Sequence, residues 1–167
     1  SSDASSERIM AELGIDSGAA NLANESFILK STALMKKVVE DLNLNTSYWQ
    51  KKDFREIDLY KTSPLLVHFE RIDKQRACTL HITPLDEKRF MLSHYNNQGE
   101  SVQLEGFYGK PLTLPFAVIS IHPTSLMTDA WNEKTVIVRH KPVLETANNL
   151  LHGLTVTRPD AKESSLL

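Results

Sequence analysis

The stretch Cys78-Thr79-Leu80-His81-Ile82, followed after a turn at Asp86-Glu87-Lys88 by a segment ending in Val102-Gln103-Leu104-Glu105, decides the fold class. Apolar residues stand at every second position with polar ones between, the period of a strand with one face on a core and one in water. Just upstream the pattern repeats, with Leu65, Val67 and Phe69 alternating with Leu66, His68 and Glu70. Turn-forming clusters fall between these runs: Asp73-Lys74-Gln75, Asp86-Glu87-Lys88, Asn96-Asn97-Gln98-Gly99 and Gly109-Lys110-Pro111. Residues 48–140 therefore read as a meander of antiparallel hairpins.

Outside that window the period lengthens to that of a helix. Phe27, Leu34, Met35, Val38 and Leu42 recur at helical spacing and predict a helix over residues 25–42, with Asn24 as N-cap and the apolar stripe packed on the sheet. Residues 16–21, rich in Ser, Gly, Ala and Asn, read as a loop. Residues 5–13 read as a short helix stopped by Gly14, so that 1–23 forms a flexible or short-helical lead-in. Pro142 opens a second helix whose stripe is Val143, Leu144, Ala147, Leu150 and Leu151. Gly153 is its expected stop, and residues 154–158 alternate as a strand. The fold expected is α+β, a mainly antiparallel sheet with two helices packed on one face, forming a single domain over 1–167.

Length and composition agree with one ordinary core. The chain has 167 residues, 41% apolar and 24% charged, with a net charge of −2. That balance excludes the basic footprint needed to offset phosphates, so no nucleic-acid partner is expected. Cys78 is the single cysteine, which excludes an internal disulfide and a multi-thiolate zinc site. No run of about 18 apolar residues is present. Both ends read as cuts within a longer chain, because Ser164-Ser165-Leu166-Leu167 stops as a strand-like pair begins.

Motifs that carry chemistry are missing. Gly106-Phe107-Tyr108-Gly109-Lys110-Pro111 lacks the spacing of a phosphate cradle and reads as a loop between strands. The six histidines, His68, His81, His94, His122, His140 and His152, show no helical i,i+4 pair, and surface or rim positions explain most of them. Cys78 lies on the apolar side of its strand and is expected to be buried and inert. Tyr48, Trp49, Tyr60, Tyr95, Tyr108 and Trp131 are candidates for a sugar-stacking platform, against the plainer reading that they close the core. Asp53, Glu56, Asp58 and Glu70 are interspersed with Lys and Arg and read as a solvated face. No catalytic, cofactor-binding or metal-ligating set is assigned, and no cofactor is expected.

One resemblance goes beyond this pattern. Residues 24–44, from Asn24-Glu25-Ser26-Phe27-Ile28-Leu29-Lys30-Ser31 to Val38-Val39-Glu40-Asp41-Leu42-Asn43-Leu44, resemble the start of the extracytoplasmic region of Wzz-type polysaccharide chain-length determinants. In that family an E-I-L-K-S stretch leads into a helix ending V-V-x-D-L-x-L. Tyr60-Lys61-Thr62-Ser63-Pro64-Leu65 is similar to the Y-x-x-S-P segment that follows, and residues 153–167 are similar to the strand leaving the second helix and the start of the next. The resemblance implies a non-catalytic base domain on the periplasmic side of the inner membrane. It further implies self-association in the full-length protein and partnership with the polysaccharide polymerase and export machinery, with contact to nascent polysaccharide. In the variant most similar, a cytoplasmic tyrosine autokinase follows in the same polypeptide, outside these 167 residues. The alternative from another class is a carbohydrate-binding module built on the aromatics.

Overall fold

The structure is a computed structural model and describes residues 15–156. Within them lie α1 (Ile15–Leu42), β1 (Thr46–Lys52), β2 (Arg55–Asp58), β3 (Leu65–Ile72), β4 (Cys78–Pro84) and β5 (Arg89–Tyr95). These are followed by β6 (Ser101–Phe107), β7 (Pro111–Leu114), β8 (Ala117–Pro123), β9 (Val136–His140) and α2 (Val143–Val156). The expected α+β class with mainly antiparallel sheet structure holds, and all strand pairs are antiparallel.

The meander is interrupted, however. The strands divide into a six-stranded sheet of order β2-β1-β9-β4-β5-β6 and a three-stranded sheet of order β3-β8-β7. Both contribute to one core: Tyr48, Leu80, Ile82, Phe90, Leu92, Val136 and Val138 from the larger sheet, and Leu65, Val67, Leu114, Ala117, Ile119 and Ile121 from the smaller. The domain is thus a two-layer sandwich in which strands such as β4 and β5 turn alternate residues inward, while β2 is exposed throughout and β9 is buried on both faces. The four turns lie where the sequence puts them. Asn96 shows the local chemistry, its Oδ1 accepting the N–H groups of Gln98 (2.9 Å) and Glu100 (2.8 Å), with Gly99 at φ 80°.

Strand β9 is the long-range element. It sits between β1 and β4, with Val138 opposite both Tyr48 and Leu80 on the core side and Ile137 opposite both Trp49 and His81 on the other. Since β1 and β9 are antiparallel neighbours, the helix that feeds β1 and the helix that leaves β9 emerge at the same end of the sheet. They pair with each other rather than forming a layer across a sheet face. Val39 of α1 and Ala147 of α2 are fully buried.

Three helical expectations are corrected. Helix α1 runs back through residues 16–24, which replaces the expected loop at 16–21 and removes Asn24 as a cap; Ala19, Ala20, Leu22 and Ala23 favour helix strongly enough to carry Gly18. Its end is as expected, closed by Asn43 at φ 51° and by the Leu44 N–H donating to the Val39 carbonyl at 3.0 Å. Helix α2 passes through Gly153 to Val156, so residues 154–156 are helical rather than extended. The stripe on α1 is largely uncovered: Phe27, Leu34 and Leu42 are 70%, 66% and 64% exposed, while Val39, outside that stripe, takes the buried position. The short helix expected at 5–13, and residues 157 and 158 of the expected strand, lie outside the described residues.

Gly106 of β6 is required by packing. A Cβ built there would overlap the Phe90 ring, lying 2.6 Å from Cε2. Gly106→Ala should therefore lower unfolding free energy by about 1–3 kcal/mol through overpacking. Phe90→Ala should remove about 3–5 kcal/mol. Leu34→Ala should change it by no more than about 0.5 kcal/mol, as an exposed position does. Urea denaturation midpoints test the set; a large loss at Leu34 would show that its stripe is core after all.

Candidate functional site

The α1–β1 junction, the 3-10 turn Tyr60–Thr62 and strand β3 enclose an open groove of about 960 Å³. Its inner end is organised by His140, the last residue of β9, which is buried and tilted against the Phe69 ring at a centroid distance of 4.1 Å. Asn45 Nδ2 donates to the Lys141 carbonyl at 3.1 Å and lies 3.4 Å from His140 Nε2. An amide NH2 has only protons to offer, so His140 Nε2 accepts and Nδ1 carries the proton to Thr46 Oγ1 at 2.9 Å. The ring is a neutral tautomer, and burial holds its pKa below the ordinary histidine value. The Lys141 N–H donates to the Asn45 carbonyl at 2.8 Å and completes a clamp between the two helix–strand junctions.

Along the groove's rim, Tyr60 is 72% exposed and sits at φ 38°, a conformation that bulky residues seldom adopt. Asp58 Oδ1 accepts its N–H at 2.8 Å, and the Thr62 N–H donates to the Leu59 carbonyl at 2.6 Å, holding the turn. Tyr48 reaches the core from β1 and accepts the Val67 N–H through its hydroxyl at 3.0 Å, while burial raises its pKa.

The outer face of the six-stranded sheet carries a second cluster. Arg139 Nη2 donates to both Glu56 carboxylate oxygens at 2.9 and 2.8 Å, and its guanidinium lies 5.3 Å from the centre of the Trp49 ring. His81 nearby has its pKa lowered, first by burial and then by the Arg139 charge, with Glu56 opposing. Trp49 is thereby already partnered.

The aromatic candidates do not assemble. Tyr48 is buried, Trp49, Tyr108 and Trp131 are half-buried, and Tyr60 and Tyr95 stand exposed on different strands or turns. Burial pushes the Tyr108 hydroxyl up to about 12. The histidines are dispersed too. His94 is buried and faces Phe116 edge-on, and His68 and His122 meet edge-on at 5.8 Å on the small sheet. Among the described residues no three His, Cys, Asp or Glu side chains converge as a metal site. Cys78 is half-buried, and burial raises its thiol to about 11 against the opposing charge of Arg76, a setting unsuited to a nucleophile at neutral pH. Asp53, Glu56, Asp58 and Glu70 are all exposed, as expected. Sequence reading missed the Asn45–His140 clamp, whose members are 95 positions apart, and the strained Tyr60. The clamp leaves no local signature; the turn that holds Tyr60 has one in Asp58, whose side chain accepts from the backbone two residues on, but it does not announce the strained φ.

Two histidines with depressed pKa values make stability acid-sensitive. The unfolded chain takes up their protons near the ordinary value of 6.5, whereas the folded chain resists until lower pH. The unfolded state therefore binds more protons in that window, and stability, complete above about pH 6.5, falls as pH drops toward the folded values. Urea midpoints should be lower at pH 5 than at pH 8, and His140→Gln should flatten the difference; a wild-type midpoint that does not move would refute the buried neutral assignment. Compared with known proteins, the chain matches no family model and no curated protein.

Proposed function

We propose that this chain is a non-catalytic, periplasmic-side domain of an inner-membrane polysaccharide chain-length determinant, acting through contacts between copies rather than through turnover. The observation that carries the reading is the uncovered surface of α1. This helix has 28 residues, about 42 Å of length, against 14 residues and about 21 Å in α2. Leu22, Phe27, Ile28, Leu29 and Leu34 are each at least 53% exposed. An apolar surface of this extent on a folded domain favours coverage by another protein surface. The segment resembling the chain-length determinants, residues 24–44, falls on this same helix and the turn after it.

Side by side in a membrane, copies would cover α1 through heterologous contacts, one face meeting a different face of the next, which close into a ring when the rotation allows. Membrane helices of the parent protein would hold the domains in two dimensions and raise their effective concentration. The chemistry of the groove favours contact over catalysis: His140 accepts from Asn45 at Nε2 and donates from Nδ1 to the Thr46 hydroxyl, so in this tautomer it is not placed to take that hydroxyl's proton.

Deleting residues 25–158 from the full-length parent should leave polymer synthesis running while broadening or shifting its length distribution, read by gel electrophoresis of the exported polysaccharide. Unchanged modal length, with the truncated protein present in the membrane, would overturn the reading. The 167-residue chain itself should sediment as a monomer or weak oligomer, since it lacks the membrane confinement that the ring requires.

A further inference from the structure

We infer that the groove beside His140 binds a short stretch of neutral oligosaccharide, with Tyr60 as its stacking platform; only the origin of that sugar rests on the chain-length reading. At about 960 Å³ the groove reaches the upper end of the range for small-molecule sites, roughly 300–1,000 Å³. Tyr60 is held at its rim in a strained backbone conformation with 72% of its surface in water. Lys61 Nζ lies 5.6 Å from the centre of the Tyr60 ring, yet the side chain stays largely in water, and strain retained at so exposed an aromatic points to a ligand. An amphipathic ring of this kind offers an apolar face to sugar C–H groups while its hydroxyl stays wet.

The polar groups favour hydroxyls over a peptide. Among the described residues strand β3 is an edge strand, and the Val67 N–H is already taken by the Tyr48 hydroxyl. The carbonyl of Ile121, its partner across the ladder, accepts from the Gly109 N–H, so Val67 and Ile121 form a non-hydrogen-bonded pair. By alternation Phe69 and Ile119 do the same, which turns the Phe69 N–H and C=O toward the groove. Beyond Phe69 the register shifts at a bulge. One open residue between a capped N–H and a bulge cannot support an added strand, yet it suits a hydroxyl that donates and accepts. Charge gives the class: Lys61, Arg71 and Lys74 line the groove together with Glu40, Asp58 and Glu70, three against three. A neutral chain fits that balance.

The test is a titration of the isotope-labelled 167-residue chain, followed by amide chemical shifts. The probes are four- to six-ring fragments from partial hydrolysis of the source cell's exported polysaccharide, maltohexaose, and an alternating threonine–valine hexapeptide. Saturable shifts from either saccharide at Tyr60, Lys61 and Phe69 are expected, weakened about tenfold or more by Tyr60→Ala, near 1.4 kcal/mol. Tyr60→Phe should retain binding, and Tyr95→Ala should leave it unchanged. No saturable groove shift from either saccharide up to about 10 mM, where a dissociation constant of even 1 mM would be nearly saturated, would overturn the proposal. So would shifts from the hexapeptide alone, which would make the groove a peptide site, or equal losses from Tyr60→Ala and Tyr95→Ala. A missing groove shift leaves the polymer-length experiment untouched, and an unchanged polymer length leaves this titration standing.

Discussion

The antiparallel pairing of β1 with β9, from Thr46 opposite His140 to Gln50 opposite Val136, is the interaction on which the remaining architecture depends. Thr46 and His140 are 94 positions apart, and closing a loop of that length costs about 4 kcal/mol in chain entropy. Three consecutive buried residues offset it: Val136 and Val138 enter the shared core and Ile137 is covered on the opposite face. Without that pairing, the two-stranded β2-β1 ribbon would be marginal in water and detached from β4-β5-β6. A domain built on such non-local contacts is expected to fold slowly for its size.

The same pairing sets the position of everything with functional potential. It brings the end of α1 and the start of α2 to one end of the sheet, where Asn45, Thr46, His140 and Lys141 lock the junction with hydrogen bonds at 2.8–3.4 Å. The groove opens beside that lock. The long helix therefore leaves a fixed base, and the Tyr60 turn and β3 edge face the point where it leaves. On the reading proposed above, surfaces for neighbouring copies and for polymer lie next to each other, which would couple assembly to contact with the growing chain.

Much of this was legible because it is local. Alternation of Leu80 and Ile82 with Thr79 and His81 reports one buried face wherever the strand is placed, and Asn96 or Gly99 make their turns from neighbouring backbone alone. Which sheet a strand joins is decided by distant partners, so the split into six and three strands was not legible. The α1 stripe shows a further limit. Periodicity reports that a helix has an apolar side; it does not say whether that side meets the chain's own core or another surface, and Phe27, Leu34 and Leu42 remain in water here. Gly153 misled for a related reason. A glycine ends a helix when the following residues have a better place for their backbone groups, and Leu154 to Val156 stay helical within α2. The clamp at His140 arises only from tertiary placement, and the conformation of Tyr60 combines a local Asp58 turn with the longer-range bond from the Leu59 N–H to the Tyr48 carbonyl at 2.8 Å.

The central claim, that copies of this domain cover one another along α1, is tested most directly by crosslinking in membranes. A photoreactive side chain placed at Phe27, Ile28 or Leu34 of the full-length parent, activated in intact cells, should give a ladder of covalent multimers from at least one position. The 167-residue chain carrying the same label in dilute solution should give almost none. A parent that stays monomeric from all three positions while still controlling polymer length would contradict the account.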